Sequence, residues 1–225
     1  FPNFADAYRV VSQLLNSPLT PSAVELIDRV TGRNSKFEHV APLAENDVLL
    51  MVDIKGSLEE VERHRKEIIS MAEANQANQV ITLEGEEATN AWKAYRGAHQ
   101  SILSAFPSTI QGKASVPHNK SADMFKKIKE IGNKYRVEIG IRAHGYSGIL
   151  YPYILAADID AVKMVGDLRD AAASLGGYFI VETAPLWVRK QAGNLPRRDD
   201  YVLMKRIKAE LDPNNVLNPG RVVGG

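Results

Sequence analysis

The sequence contains no cysteine. Disulfides, iron–sulfur ligation and thiolate zinc sites within this chain are thereby excluded. It also lacks a Gly-x-Gly-x-x-Gly run and a Walker loop, so it carries no recognisable nucleotide-phosphate cradle of its own. No apolar run approaches the roughly 18–20 residues of a membrane span, and no signal peptide is visible. Neither sign of charge is in excess: 28 Lys+Arg stand against 27 Asp+Glu. That balance gives no footprint for nucleic acid or an anionic membrane. Internal repeats and low-complexity tracts are missing as well. What is there is an ordinary globular composition, 44% hydrophobic and 24% charged over 225 residues, enough for one large domain or two small ones.

Apolar periodicity predicts two helices over residues 1–31, "ADAYRVVSQLLNSP" and "LTPSAVELIDRVTG", the second capped by Thr20 with Pro21 at its first position. A strand reading begins near Lys36 and continues in "NDVLLMVDIKG". Ser57 and Glu60 form a capping box for a helix to about Asn75. "NQVITLEG" reads as a strand, and residues 85–106 as a helix with Ala88, Trp92, Tyr95, His99, Ile102 and Phe106 on one stripe. "QGKASVPHN" is a strand broken by Pro117, and residues 121–132 are a helix. "YRVEIGIRAHG" and "GILYPYIL" make a hairpin; a helix over 159–175, the strand "GYFIVETAP", a helix over 200–211 and an irregular tail follow. Strict βαβ alternation is broken, which favours α+β with antiparallel pairing. Two β-α-β units with helices on one face would be ferredoxin-like.

The hairpin carries the most chemistry. Val137, Ile139, Ile141 and Ala143 alternate with Arg136, Glu138, Gly140, Arg142 and His144. A turn centred between Ser147 and Gly148 would set His144 opposite Tyr151 and Arg142 opposite Tyr153, with all four on one face. Such a face can clamp a carboxylate through arginine and move a hydroxyl proton through histidine. It can equally be a solvated or helix-covered polar face. Glu182 is a candidate carboxylate at a strand end, and Arg96 lies beside the apolar stripe of its helix. His118 reads as a loop histidine, His64 and His99 as packing or surface residues, and His39 as uninformative. Arg189, Lys190, Arg197 and Arg198 form a basic loop, either solvated or facing an anion.

The tail "MKRIKAELDPNNVLNPGRV" resembles the C-terminal end of FAD-linked oxidases of the vanillyl-alcohol-oxidase/PCMH type, through Lys208, Asp212, Pro213, Val216, Leu217, Asn218, Pro219, Gly220 and Arg221. "SPLTPSAVELID", "WKAYR" (Trp92, Arg96), "KASVP" and "GGYFIVETAPLW" resemble further family segments in order. The likeness is strongest to the FAD-binding small subunit of glycolate oxidase. It implies a cap domain with a ferredoxin-like antiparallel sheet, helices packed on one face and N-terminal helices. The implied division is a helical lead-in over 1–35 from an FAD domain not in this chain, a cap over 36–211, and a tail over 212–225 returning toward that FAD domain.

The same resemblance implies oxidation of a small, glycolate-like 2-hydroxy acid, with hydride passing to FAD bound mainly by the other domain. His144 would be the proton acceptor. Arg142, Arg96, Tyr151, Tyr153 and Glu182 would contact substrate, and Asn218, Pro219 and Gly220 would lie near the flavin. Metal-containing members carry His-x-Gly-x-Gly-x-x-His and Glu-His-Gly; here His144, Gly148 and Glu182 match, whereas Tyr146, Tyr151, Thr183 and Ala184 depart. No metal is therefore expected, since one imidazole, one phenol and one carboxylate make a poor divalent site. These departures also suit a second role, a catalytically reduced FAD-binding subunit serving assembly or electron transfer beside a catalytic partner. Implied partners are other oxidase subunits, an iron–sulfur subunit among them. The implied location is cytoplasmic, with any membrane association coming through those partners.

Overall fold

A computed structural model describes residues 1–35, 43–155, 160–193 and 200–219. Helix α1 (Phe4–Leu15) opens the chain. The Asn3 side chain caps it by accepting from the Asp6 amide at 2.9 Å. Its apolar residues at spacings of three and four, Phe4, Ala7, Tyr8, Val11 and Leu14, are all buried.

The second expected helix is not one. "AVELID" is strand β1 (Ala23–Asp28), followed by the five-residue helix α2 (Arg29–Arg33). β1 pairs antiparallel with β2 (Val48–Asp53) on one side and with β4 (Ile139–His144) on the other. Ladder bonds on both edges, and an inward-pointing Val24 and Leu26, outweigh the helical spacing that Pro21 and Thr20 suggested. Residues read as a helical lead-in thus supply an internal strand of the sheet.

Helix α3 (Leu58–Ala74) starts at the expected capping box: the Ser57 hydroxyl accepts from the Glu60 amide, and the Glu60 carboxylate accepts from the Ser57 amide at 3.0 Å. "NQVITLEG" forms no strand. It is an exposed connector with Val80 and Ile81 partly solvated, and among the described residues no strand pairs with it. Helix α4 (Gly85–Ala105), β3 (Ile110–Ser115), α5 (Ser121–Tyr135), β4, β5 (Ile149–Ile154), α6 (Ala161–Ser174), β6 (Tyr178–Thr183), α7 (Leu186–Ala192) and α8 (Asp200–Leu211) complete the order. The short α7 stands where the sequence suggests a basic loop. The strand start expected near Lys36 lies outside the described residues.

The six strands among the described residues form one antiparallel sheet, ordered β2-β1-β4-β5-β3-β6. The run β3-α5-β4-β5-α6-β6 makes two β-α-β units with the strand order of a ferredoxin-like fold, and β1 and β2 extend it at the β4 edge. Helices α1, α5 and α6 bury one face through Val11, Met124, Ile128, Met164 and Leu168 against Leu26, Ile141, Leu150 and Phe179. These are the helices expected on one face; α4 is an addition to that plan. It crosses the opposite face, where Trp92 and Tyr95 pack on Ile27, Leu49 and Met51.

The hairpin turn spans four residues, Gly145 to Gly148, between His144 and Ile149. Gly148 has φ 65°, and a Cβ there would meet the Val116 carbonyl at 2.3 Å. Only glycine fits both that backbone and that contact.

Candidate functional site

The polar sheet face under and beside α4 gathers most of the predicted residues. Period two does place Arg142, His144, Tyr151 and Tyr153 on one side. Their pairing is shifted by two residues from the expected register: Arg142 lies opposite Tyr151, Gly140 opposite Tyr153, and His144 opposite Ile149. The cause is a turn that uses Gly145 and Tyr146 as well as Ser147 and Gly148. His144 therefore meets Tyr151 diagonally, ring edge to ring face, with centroids 5.2 Å apart.

Arg142 is held between two aromatic rings, its guanidinium carbon 5.2 Å from the centroid of Tyr95 and 5.2 Å from that of Tyr151. Its Nε is buried and without a hydrogen-bond partner, and so is the hydroxyl of Tyr153, a side chain with no solvent exposure. His99, from α4, packs against the Tyr153 ring at 5.9 Å. Burial raises the pKa of Tyr151 and of Tyr153, so both phenols stay protonated and can donate. Glu182 is exposed at the far side, where it accepts from the Gln111 amide nitrogen at 2.8 Å.

Sequence reasoning missed Glu25. Read as a helix position, it had no place near the hairpin. As a β1 residue it lies directly opposite His144, and its Oε2 is 2.6 Å from His144 Nδ1. The same oxygen accepts from the Tyr95 hydroxyl at 2.6 Å. An acidic residue between Val24 and Leu26 is the one available signal: in a strand, that alternation turns Glu25 to the opposite face. Tyr95 and His99 were noticed only as packing residues, and both border the site.

Other predicted residues are not gathered here. Arg96 is exposed. Asn218 and Pro219 are exposed in the tail, and Gly220 lies outside the described residues, as do His39, Arg197, Arg198 and Arg221. The tail itself is shaped by Asp212, which accepts from the Val216 and Leu217 amides at 2.9 Å each and from Lys208, while Lys208 also donates to the Leu217 carbonyl at 2.7 Å. Among the described residues no group of three histidine or acidic side chains could hold a metal ion.

His118 is more than a loop residue. Its Nε2 lies 3.0 Å from the Gly145 carbonyl, and its ring packs on Tyr8 at 4.8 Å. Burial pulls its pKa below the ordinary value; His99 is lowered likewise, by burial and then by Arg142. The unfolded chain therefore binds more protons than the folded one as pH falls through the histidine range near 6.5. The stability from these two histidines is expected to be complete above that range and to decline below it. Urea midpoints compared between about pH 7.5 and about pH 5.5 check this, in a window that leaves most carboxylates charged. Wild type should lose more than H118Q; equal losses would contradict the assignment.

A family model described as FAD linked oxidases, C-terminal domain, matches residues 1–222. The chain belongs to this family. Among curated relatives, the glycolate oxidase subunit GlcD of Bacillus subtilis is 27% identical over 237 residues, covering 99% of this chain and 49% of that protein. A D-lactate dehydrogenase of Archaeoglobus fulgidus is 28% identical over 113 residues, covering 49% of this chain and 26% of that protein. The chain thus spans about half the length of the first relative, or less of the second. Among solved structures, a 4-ethylphenol oxidase from Gulosibacter chungangensis superposes with a TM-score of 0.61 at 15% identity, covering all of this chain and 52% of that one. An alkyldihydroxyacetonephosphate synthase does so at 0.60 and 14%, covering 97% and 42%. At these identities the structural likeness establishes the fold. Among the described residues no helix is long and apolar enough to cross a membrane.

The family implies FAD. The sequence offers this group no glycine-rich cradle for its pyrophosphate; what the polar face offers is two buried donors without partners, Arg142 Nε and the Tyr153 hydroxyl.

Proposed function

We propose that this chain is the substrate-side domain of a flavin-dependent oxidoreductase acting on a small 2-hydroxy acid. The observation that carries the reading is the pair of buried donors without partners, Arg142 Nε and the Tyr153 hydroxyl, on the same face as His144. A substrate carboxylate would satisfy both; a buried arginine and phenol left unpaired are costly. Tyr151 closes one side of that position and His99 another. His144 takes the proton from the substrate hydroxyl, which leaves a 2-oxo acid once hydride has gone from C2. The bound flavin supplies the hydride acceptor. Arg96 is not part of this arrangement, because it is exposed. Glu182 acts through Gln111 at the rim.

The cofactor-binding half would meet this chain along α8 and the tail. There Val202, Leu203, Ile207, Leu211, Val216 and Leu217 are each at least 50% exposed, apolar side chains of the kind that a partner surface covers. Asn218 and the Pro219-Gly220 turn would then lie beside the flavin. Partner subunits, an iron–sulfur one among them, would take the electrons onward, in keeping with the subunit name of the B. subtilis relative.

A second reading has an observation in its favour. Tyr151 and Thr183 stand where imidazoles would complete a metal site, and no such site is assembled among the described residues. The chain would then serve assembly or electron transfer. Anaerobic mixing of the full-length protein with glycolate or D-lactate separates the two. Loss of the oxidised flavin absorbance by the isolated protein is expected. Reduction that begins only when a partner subunit is added would favour the second reading.

A further inference from the structure

We propose that Glu25 is the positioning residue for His144. Its carboxylate fixes the imidazole as the tautomer protonated on Nδ1 and leaves Nε2 as the basic nitrogen. The inference rests on the reading of His144 as proton acceptor.

Register puts the two residues directly across from each other on β1 and β4. Glu25 Oε2 lies 2.6 Å from His144 Nδ1 and 2.6 Å from the Tyr95 hydroxyl. An ionised carboxylate only accepts, so Nδ1 must be the donor in this pair, and in the neutral ring the lone pair then belongs to Nε2. Tyr95 is a second fixed donor. It is 5% exposed, and burial followed by the Glu25 charge pushes its pKa far up, so it keeps its proton. Arg142, over the rings of Tyr95 and Tyr151, brings its positive charge to the same tyrosine that donates to the carboxylate. Exposure is graded in the required sense: the side chain of Glu25 is 14% exposed and that of His144 36%. The carboxylate is inside, and the ring that it aims reaches solvent. Tyr151 braces the ring edge-on. A base oriented by a third group is the usual arrangement for proton transfer by histidine.

The test reads the tautomer directly. Full-length protein is labelled with ¹⁵N-histidine, the His144 signals are assigned by their loss in H144Q, and two-bond ¹H–¹⁵N correlations report which nitrogen carries the proton. Wild type is expected to show neutral His144 protonated on Nδ1. E25L should lose that preference. E25Q should keep it, because a single oxygen takes both hydrogen bonds now and an amide oxygen can do the same. For turnover with a 2-hydroxy acid, kcat of E25L should fall about 100-fold with KM changed less than about threefold, and E25Q should retain more than about a tenth of the wild-type kcat. A wild-type His144 protonated mainly on Nε2, or a tautomer that E25L leaves unchanged, overturns the proposal. If the tautomers behave as expected while no 2-hydroxy acid reduces the flavin, the Glu25–His144 coupling stands and the assigned reaction falls.

Discussion

Flavin reduction in H144A is expected to be about 10²- to 10⁴-fold slower than in wild type, the range over which a positioned general base contributes. Substrate affinity should change little, because the carboxylate is assigned to Arg142 and Tyr153 and not to the imidazole. The measurement is anaerobic stopped-flow mixing of the full-length protein with a saturating 2-hydroxy acid. The substrate dissociation constant comes from the concentration dependence of the rate. The alanine leaves the fold intact: His144 is the last residue of β4, and its side chain is partly exposed. It does strip Glu25 of one of its two donors while Tyr95 remains. An H144A rate within about threefold of wild type would remove His144 from the chemistry.

D28A is expected to destabilise the fold by about 2–4 kcal/mol, chiefly the cost of leaving two buried amides without an acceptor, since Lys129 is a third exposed and can turn to water. Asp28 is 4% exposed and ends β1. One carboxylate oxygen accepts from the amides of Thr31 and Ile141, each at 2.9 Å, and the other accepts from Lys129. Lys129 donates in addition to the Ile139 carbonyl at 2.6 Å. Alanine would strand two buried amides and release an ammonium held among β1, β4 and α5. D28N keeps one acceptor oxygen and should lose less. Urea titrations of the three proteins check this, with the slope of the transition unchanged if only stability is altered.

Those two residues mark what the sequence could and could not reveal. The polar face of the hairpin was legible, since a strict alternation from Val137 to His144 has only one face to give. Its register was not. Gly145 and Tyr146 look no different as strand or turn residues until the Val116 carbonyl is seen against Gly148. β1 was illegible for a different reason: Thr20 and Pro21 make a plausible helix start, and strand pairing with β2 and β4 depends on partners remote in sequence. With β1 went Glu25 and the connection of Tyr95 to the site. The connector at Val80 and Ile81 failed in the opposite sense, with strand-forming residues and, among the described residues, no strand paired with them. The family likeness was carried by the tail, whose shape comes from local bonds of Asp212 and so survives in local sequence.

The contact between Glu25 and His144 joins residues 119 apart. Closing a loop of that length costs about 4 kcal/mol of chain entropy by the logarithmic law, roughly twice the cost of a ten-residue loop. A single hydrogen bond cannot meet that cost; the ladders on both sides of β1 must. The hairpin bearing Arg142, His144 and Tyr151 can assemble from neighbouring residues, but the carboxylate that aims the histidine arrives only when the N-terminal strand zips in between β2 and β4. During folding the tyrosines and the arginine can therefore come together well before the aimed base does. The tautomer of His144 then reports on closure of the whole sheet as well as on its own surroundings.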